Sequence, residues 1–214
     1  MSAADPRIAA DRLASSLGYS LNIGQLDALD RYTQFLVEEA SVAGGIGPAE
    51  GDRIFDRHVG DALAFLAGMA ERPATMVDVG SGVGLPGIPL AIALPETAVT
   101  LVERSAGRTH LLRRVVRILG LTNVTITEGD IRRVGGTFDV VVFRASLPVE
   151  PATTEFERLS DDPHGIGLFG LSRLPNPPEA PDPPPGVGYT VVGDDFGVLD
   201  SPFWLLRMRR IARK

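Results

Sequence analysis

Val77-Asp78-Val79-Gly80-Ser81-Gly82-Val83-Gly84-Leu85-Pro86-Gly87 is the stretch on which the reading of this 214-residue chain turns. It follows a β-branched run, residues 75–79, and leads into an apolar run, residues 88–94, so it reads as a turn between a strand and a helix. Glycine carries no Cβ and tolerates positive φ, which lets the backbone bend sharply and approach a neighbour closely. The helix behind the turn presents unpaired N–H groups, and Pro89 near its start removes an N–H that has no partner there. Residues 99–102, 124–127 and 138–142 are further short β-branched runs, of the kind buried on both faces of a parallel sheet. Residues 107–119 form a helix between them, with Leu111, Leu112, Val115 and Leu119 as its apolar stripe. This alternation predicts a doubly wound, mostly parallel α/β sheet.

Residues 5–70, ahead of this pattern, read as helices. Leu26, Leu29, Tyr32, Phe35 and Leu36 make one stripe, and Ile54, Val59, Ala62, Leu63, Phe65 and Leu66 a second. The small, glycine-rich residues 41–51 between them read as a loop. Beyond Ser146 the pattern weakens. Residues 165–171 fit a fifth strand, and residues 188–192 and 203–210 a terminal hairpin. Residues 175–186 hold seven prolines and form a stiff surface loop. Asn176-Pro177-Pro178-Glu179 lies in that loop and reads as linker composition. The expected organisation is a helical cap over residues 1–70 and one compact unit over 71–214.

Composition narrows the functional classes. The chain is 44% hydrophobic and 22% charged, an ordinary globular balance. No apolar run is long enough to span a membrane, and residues 1–12 lack the apolar core of a signal peptide. There is no cysteine, which excludes disulfides, thiolate metal sites and a cysteine nucleophile and fits the cytoplasm; no metal site is expected. The net charge is −6, yet residues 101–144 carry Arg104, Arg108, Arg113, Arg114, Arg117, Arg132, Arg133 and Arg144 against four acids. Such a local basic face either attracts phosphates or is a set of solvated helix faces.

Glu103 ends the strand after the glycine turn, about twenty residues on, where a carboxylate can accept two ribose hydroxyls; the alternative is a surface acid at a strand end. Gly82 to Gly87 also satisfies the dinucleotide pattern G-x-G-x-x-G. Three features favour S-adenosylmethionine over a nicotinamide. Asp78 stands two residues before the first glycine, where it either braces the loop amides or receives a ligand ammonium. Pro86 removes an N–H that a pyrophosphate would use. Glu128-Gly129-Asp130 follows the third strand, where Asp130 either bonds an adenine amino group or is an ordinary turn aspartate. A nicotinamide oxidoreductase lacks its hydride-transfer partners here, since there is no Tyr-x-x-x-Lys and Lys214 is the sole lysine.

The run from Asp78 to Leu90 resembles the cofactor loop of the bacterial small-subunit ribosomal RNA guanine-N7 methyltransferases, also called glucose-inhibited division protein B. The Leu85-Pro86-Gly87-Ile88-Pro89 tail is unusual among methyltransferases. Arg57-His58-Val59-Gly60-Asp61-Ala62-Leu63 resembles that family's Arg-His-Ile-x-Asp-Ser-Leu, Arg108 to Arg113 its Lys-Arg-x-x-Phe-Leu-Arg helix, and Phe138 to Ala145 its Phe-Asp-x-x-x-Ser-Arg-Ala. The resemblance covers roughly residues 24–147. It implies a monomeric, Rossmann-like class I methyltransferase fold with a seven-stranded sheet and an N-terminal helical cap. It implies methyl transfer to a guanine N7 of small-subunit ribosomal RNA, with the RNA or the ribosomal subunit as partner. Gly80, Gly82 and Leu85 would line the cofactor, Asp130 and Ile131 would flank its adenine, and Arg144 would stand at both cofactor and transfer site.

Guanine N7 has an exposed lone pair and loses no proton on methylation, so alignment matters more than a general base. Arg144 follows the fourth strand, where its planar fork could bond guanine O6 or a phosphate; alternatively it forms a structural ion pair with Asp61. His58 either stacks on a base or packs beside its helix stripe, and Arg108 is a candidate RNA contact. Several family positions differ. The Asn-Leu-Thr segment before Arg57 is replaced by residues 41–51, Gly107 replaces a lysine, Gly129 an arginine and Phe143 a serine. No lysine matches the late Ala-Leu-Lys-Gly segment near residues 168–172. These losses fall on the RNA side and leave the cofactor side intact. A cofactor-binding paralogue of weak or no catalytic activity, with another RNA or a protein as partner, is therefore the alternative to an active enzyme.

Overall fold

β1 (Thr75–Val79) pairs in parallel with β2 (Ala98–Glu103) on one side and with β4 (Val140–Phe143) on the other. β3 (Val124–Glu128) extends the sheet beyond β2, and β5 (Ile166–Gly170) beyond β4, again in parallel. β7 (Phe203–Arg210) runs antiparallel between β5 and β6 (Val187–Asp194). The seven-stranded order is β3-β2-β1-β4-β5-β7-β6. The computed structural model from which this architecture is read describes residues 5–41, 44, 53–69, 71–160, 164–171 and 173–211. Most of the expected loop at residues 41–51 lies outside them.

Strand order reverses between β1 and β4, so the chain leaves the two strands in opposite directions and opens a crevice at their carboxyl ends. β4 is buried along its whole length, as is β1 beyond Thr75, which suits their valine-rich sequences. β3 is an edge strand and only half-buried, in contrast to the expectation of burial on both faces. β4 begins two residues later than its β-branched run suggests. Asp139 is held out of the ladder because its carboxylate accepts the amides of Ala74 and Thr75, both at 2.8 Å.

The N-terminal helices are α1 (Pro6–Ser16), α2 (Ile23–Phe35) and the short α3 (Asp61–Ala64). Asn22 and Gln25 close a reciprocal capping box at the start of α2, which continues into a wider π-helical turn, Leu36–Ala40. The second stripe is wound less regularly than a single helix, with a π-helical turn at Phe55–Gly60 before α3 and a 3-10 turn at Phe65–Gly68 after it. α4 (Gly87–Ala93) is buried at every residue. α5 (Ala106–Leu119) starts on the Ser105 side chain and stops at Gly120, whose φ of +68° suits glycine.

One apolar cluster joins Leu29 and Phe35 of α2, Leu63 of α3, Ile88 and Leu90 of α4 and the sheet residues Met76, Val140 and Leu168. On the opposite face, Val77, Val141 and Phe143 pack against Ala152, Phe156 and Leu159 of α6 (Val149–Leu159). Sequence patterning missed α6. Its buried residues do recur at spacings of four and three, but prolines at 148 and 151 interrupt the run; proline is well tolerated in a first helical turn.

Candidate active site

A cavity of about 490 Å³ opens at the carboxyl ends of β1, β2, β3 and β4. Gly80, Glu103, Arg108, Asp130 and Ile131, all expected from sequence at the site, lie in its wall. Arg104, Ala145 and Ser146 also line it.

The glycine turn is set by backbone bonds. The amides of Gly80 and Ser81 both donate to the Val102 carbonyl of β2, at 2.9 and 3.0 Å. Gly80, Gly82 and Gly84 adopt φ of +72°, +60° and +106°, which a side chain would strain. A Cβ on Gly80 would also stand 2.6 Å from the Ser146 Cβ, so this turn and the one after β4 are in direct contact.

Glu103 is buried at the tip of β2. Its Oε2 accepts the Gly82 amide at 2.9 Å and its Oε1 the Ser105 amide at 2.8 Å. A carboxylate has about four lone-pair sites. Glu103 therefore braces two turns and keeps acceptor capacity toward the cavity.

Asp78 lies beneath the turn, wholly buried, and does not reach the cavity wall. Its Oδ2 accepts the Gly87 amide at 3.0 Å, the bracing arrangement, while Oδ1 is buried without a hydrogen-bond partner. Burial pushes its carboxyl up to about 7, against hydrogen bonds from Ser81 and Gly87 and the charge of Arg144. Gly82 turns its amide to Glu103 and Leu85 packs into the core, so neither forms cavity wall. Asp130 caps the short turn Ile131–Arg133, accepting the Arg132 amide at 3.0 Å. Hydrogen bonds from the Arg132 guanidinium hold its carboxyl well below the usual carboxylate range.

Arg144 leaves β4 toward the N-terminal helices, away from the wall just described. Its Nη2 donates to the Arg57 carbonyl at 2.9 Å and lies 3.4 Å from His58 Nδ1 and 3.5 Å from Asp61 Oδ2. His58 and Arg144 are thus brought together, beside the cavity rather than in it. The ion pair with Asp61 is the structural alternative weighed for Arg144, and it is formed.

Sequence reasoning missed three features. Arg173, nearly buried, donates to Asp61 at 2.8 Å and to Asp56 at 3.0 Å, and pairs with Asp200. It is the cation nearest the segment where a lysine was missing, which was the available signal. Ala145 adopts φ of +52°, the only non-glycine positive φ among the described residues, and no residue type announces that. Ser146 packs its Cβ against the glycine turn, and its place after Arg144-Ala145 could have marked it.

The structure resembles that of a candidate O-methyltransferase from Klebsiella pneumoniae, with a TM-score of 0.58 at 16% identity over 86% of this chain and 90% of that one. It also resembles P. horikoshii TYW2 in complex with MeSAdo, with a TM-score of 0.52 at 13% identity over 73% and 63%. The fold is that of the Rossmann-like class I S-adenosylmethionine-dependent methyltransferases. By sequence, residues 25–166 match the GidB family, rRNA small subunit methyltransferase G. The chain is 43% identical over 119 residues to the Ribosomal RNA small subunit methyltransferase G of Acidothermus cellulolyticus, covering 56% of this chain and 53% of that protein. It is 39% identical over 127 residues to that of Streptomyces coelicolor, covering 58% and 53%. The chain belongs to the rRNA small subunit methyltransferase G family, and it spans about half the length of the curated relatives it matches.

Proposed function

We propose that the chain binds S-adenosylmethionine in the cavity at the ends of β1–β4 and transfers its methyl group to a guanine N7 of small-subunit ribosomal RNA. The observation that carries this reading is Glu103, a buried carboxylate at the tip of β2, braced by Gly82 and Ser105 and facing a cavity floored by Gly80. It can accept the two vicinal hydroxyls of a ribose. Gly80 lets the turn lie against Ser146, where a side chain would collide. Asp130 and Ile131 flank the adenine.

Bound there, S-adenosylmethionine supplies an electrophilic methyl on a sulfonium. The chain has only to orient the base, because N7 yields no proton. Arg144 does so from beside the cavity. Its Nη2 is anchored on Arg57 and Asp61, and its Nε and Nη1 make no hydrogen bond among the described residues. His58 steadies that guanidinium. Arg104 and Arg108 form no ion pair among the described residues and would meet RNA phosphates at the rim. Residues 1–70 act as a cap on a methyltransferase unit of residues 71–214, in a cytoplasmic monomer. No helix among the described residues is long and apolar enough to cross a membrane.

The anchoring of Arg144 to Asp61 favours one second reading, a cofactor-binding relative with little catalytic activity. One experiment separates the two. Purified protein is incubated with methyl-labelled S-adenosylmethionine and naked small ribosomal subunits, and N7-methylguanosine is mapped in the RNA. Label at a single guanosine supports the enzyme; cofactor binding without label supports the second reading; the absence of both overturns the proposal.

A further inference from the structure

α2 and the glycine turn are far apart in sequence, yet they meet at one buried hydrogen bond. The Tyr32 hydroxyl donates to the Val83 carbonyl at 3.1 Å. Tyr32 is wholly buried, and Val83 nearly so. Among the described residues, every other hydrogen bond to residues 80–87 comes from β1, β2 or the turn and α4 themselves. Seven residues before Tyr32, the Gln25 side chain donates to the Ile92 carbonyl at 2.7 Å and the Ala93 carbonyl at 3.3 Å, at the far end of α4. Seven residues of helix span about 10 Å, so Gln25 and Tyr32 lie two turns apart on one face of α2. Gln25 thus holds the carboxyl end of α4, and Tyr32 the glycine turn that leads into it.

We infer that Tyr32 is a positioning residue of the cofactor site, with α2 acting as a splint along α4 and the Tyr32 hydroxyl fixing the tip of the glycine turn. The inference rests on the cavity's being the S-adenosylmethionine site. Val83 stands between Gly82 and Gly84, both at positive φ, and glycines permit many other backbone arrangements. The Val83–Gly84 peptide is held through its amide, which donates to the Ser81 carbonyl at 2.7 Å, and through its carbonyl by Tyr32. The Tyr32 hydroxyl is the bond on that carbonyl, in a place with no access to water. Without it, the buried carbonyl turns to find another partner, and turning it disturbs the Gly82 amide that meets Glu103. The loop then spends part of its time in arrangements that cannot take the cofactor, and apparent affinity falls by the fraction that remains competent. Bound cofactor restores the loop, so the rate at saturation is kept.

The test compares Tyr32→Phe with Gln25→Met, both made in the full chain. Phe keeps the ring and its packing on Phe35 and removes only the hydroxyl. S-adenosylhomocysteine binding is measured by calorimetry, thermal unfolding by circular dichroism, and KM and kcat by labelled methyl transfer. Tyr32→Phe is expected to weaken S-adenosylhomocysteine by about 3- to 10-fold and raise KM for S-adenosylmethionine equally, with kcat kept. Gln25→Met is expected to lower the melting temperature with Kd unchanged. A Tyr32→Phe affinity within about twofold of the parent, whatever its melting temperature, overturns the inference. Failure of the parent chain itself to bind overturns the cofactor reading, and this inference with it.

Discussion

Glu103 Oε2 accepts the amide of Gly82 at 2.9 Å, joining the tip of β2 to the turn that leaves β1. One carboxylate thus shapes the loop and faces the cavity, and the two duties are lost together when it is removed. Glu103→Ala is expected to weaken S-adenosylhomocysteine by about 1.5–3 kcal/mol, the range for charged hydrogen bonds. Glu103→Gln should do no better, because its NH2 must face the amide of either Gly82 or Ser105, donor against donor. Calorimetric titration reads both, and unchanged affinity in either removes the ribose-binding role.

Gly80 and Ser146 make a second checkable pair. Gly80→Ala places a Cβ 2.6 Å from the Ser146 Cβ at a φ of +72°. Strain at one such position costs about 1–3 kcal/mol. Ser146→Gly clears the collision and leaves the φ penalty, so Gly80→Ala should be milder on that background. Denaturant unfolding of the two single variants and the double variant measures the coupling. Strict additivity would mean that the contact carries no energy.

How much of this was legible in the sequence follows from the range of each interaction. β1 and the glycine turn are set by neighbouring residues, and residues 75–79 were read with the bounds the strand has. The hairpin of β6 and β7 and the end of α5 at Gly120 were local in the same sense. The β4 run begins two residues too early in the sequence because Asp139 is engaged by amides 64 and 65 residues away, which no window contains. Glu103, Asp130 and Arg108 could be placed at strand and helix ends by counting. Arg144 could be placed just after β4 but not aimed, because its direction is fixed by Asp61 and Arg57 from another part of the chain. Tyr32 read as one member of an apolar stripe, and only the fold shows what its hydroxyl touches.

Asp78 gives a pH dependence with a defined sign. Burial raises its carboxyl from 3.8 to about 7, so the folded chain keeps a proton that the unfolded chain releases. The stabilisation is full below about pH 4 and is lost as pH rises through about 7. The shift corresponds to roughly 4 kcal/mol at most, at 1.36 kcal/mol per unit. Asp130 and Asp200, both held low, act with the opposite sign in a more acidic range. The difference between the parent and Asp78→Asn isolates Asp78. Asn can still accept the Gly87 amide, so the variant should hold its stability from pH 4 to 8 and exceed the parent at the upper end. Denaturant midpoints across that range test this. Unchanged S-adenosylhomocysteine affinity in Asp78→Asn would assign Asp78 to bracing alone; a tenfold loss, about 1.4 kcal/mol, would show that it also meets the ligand ammonium.

Arg104 and Arg108 stand at the rim of the cavity without ion-pair partners among the described residues. Arg113 and Arg114, on the same helix as Arg108, are already paired with Glu128 and Glu39. A phosphate contact is worth most from a cation not otherwise neutralised. Replacing Arg104 or Arg108 by Gln should weaken RNA binding with little regard to sequence, and lower the slope of log affinity against log salt by about 1 each. Arg113→Gln serves as the comparison and should change the slope less. Equal slopes in all three would move the RNA away from this rim.

Asp61 divides its two oxygens between two arginines, Oδ1 to Arg173 and Oδ2 to Arg144. Arg173 also binds Asp56 and Asp200, so one nearly buried guanidinium ties the turn before α3 to the chain beyond β5 and β6. Arg173→Met leaves three carboxylates without their shared cation, and breaking a buried pair costs about 3–5 kcal/mol. Its melting temperature should fall steeply. Asp61→Asn is the gentler probe. It keeps shape, weakens the hold on Arg144, and lies outside the cavity wall. Affinity for S-adenosylhomocysteine should therefore stay within about twofold, while methyl transfer to small subunits falls roughly tenfold or more, as the loss of a charged hydrogen bond implies. Parallel losses in binding and transfer would instead make Asp61 part of the cofactor site, and intact transfer would leave Arg144 as a purely structural cation.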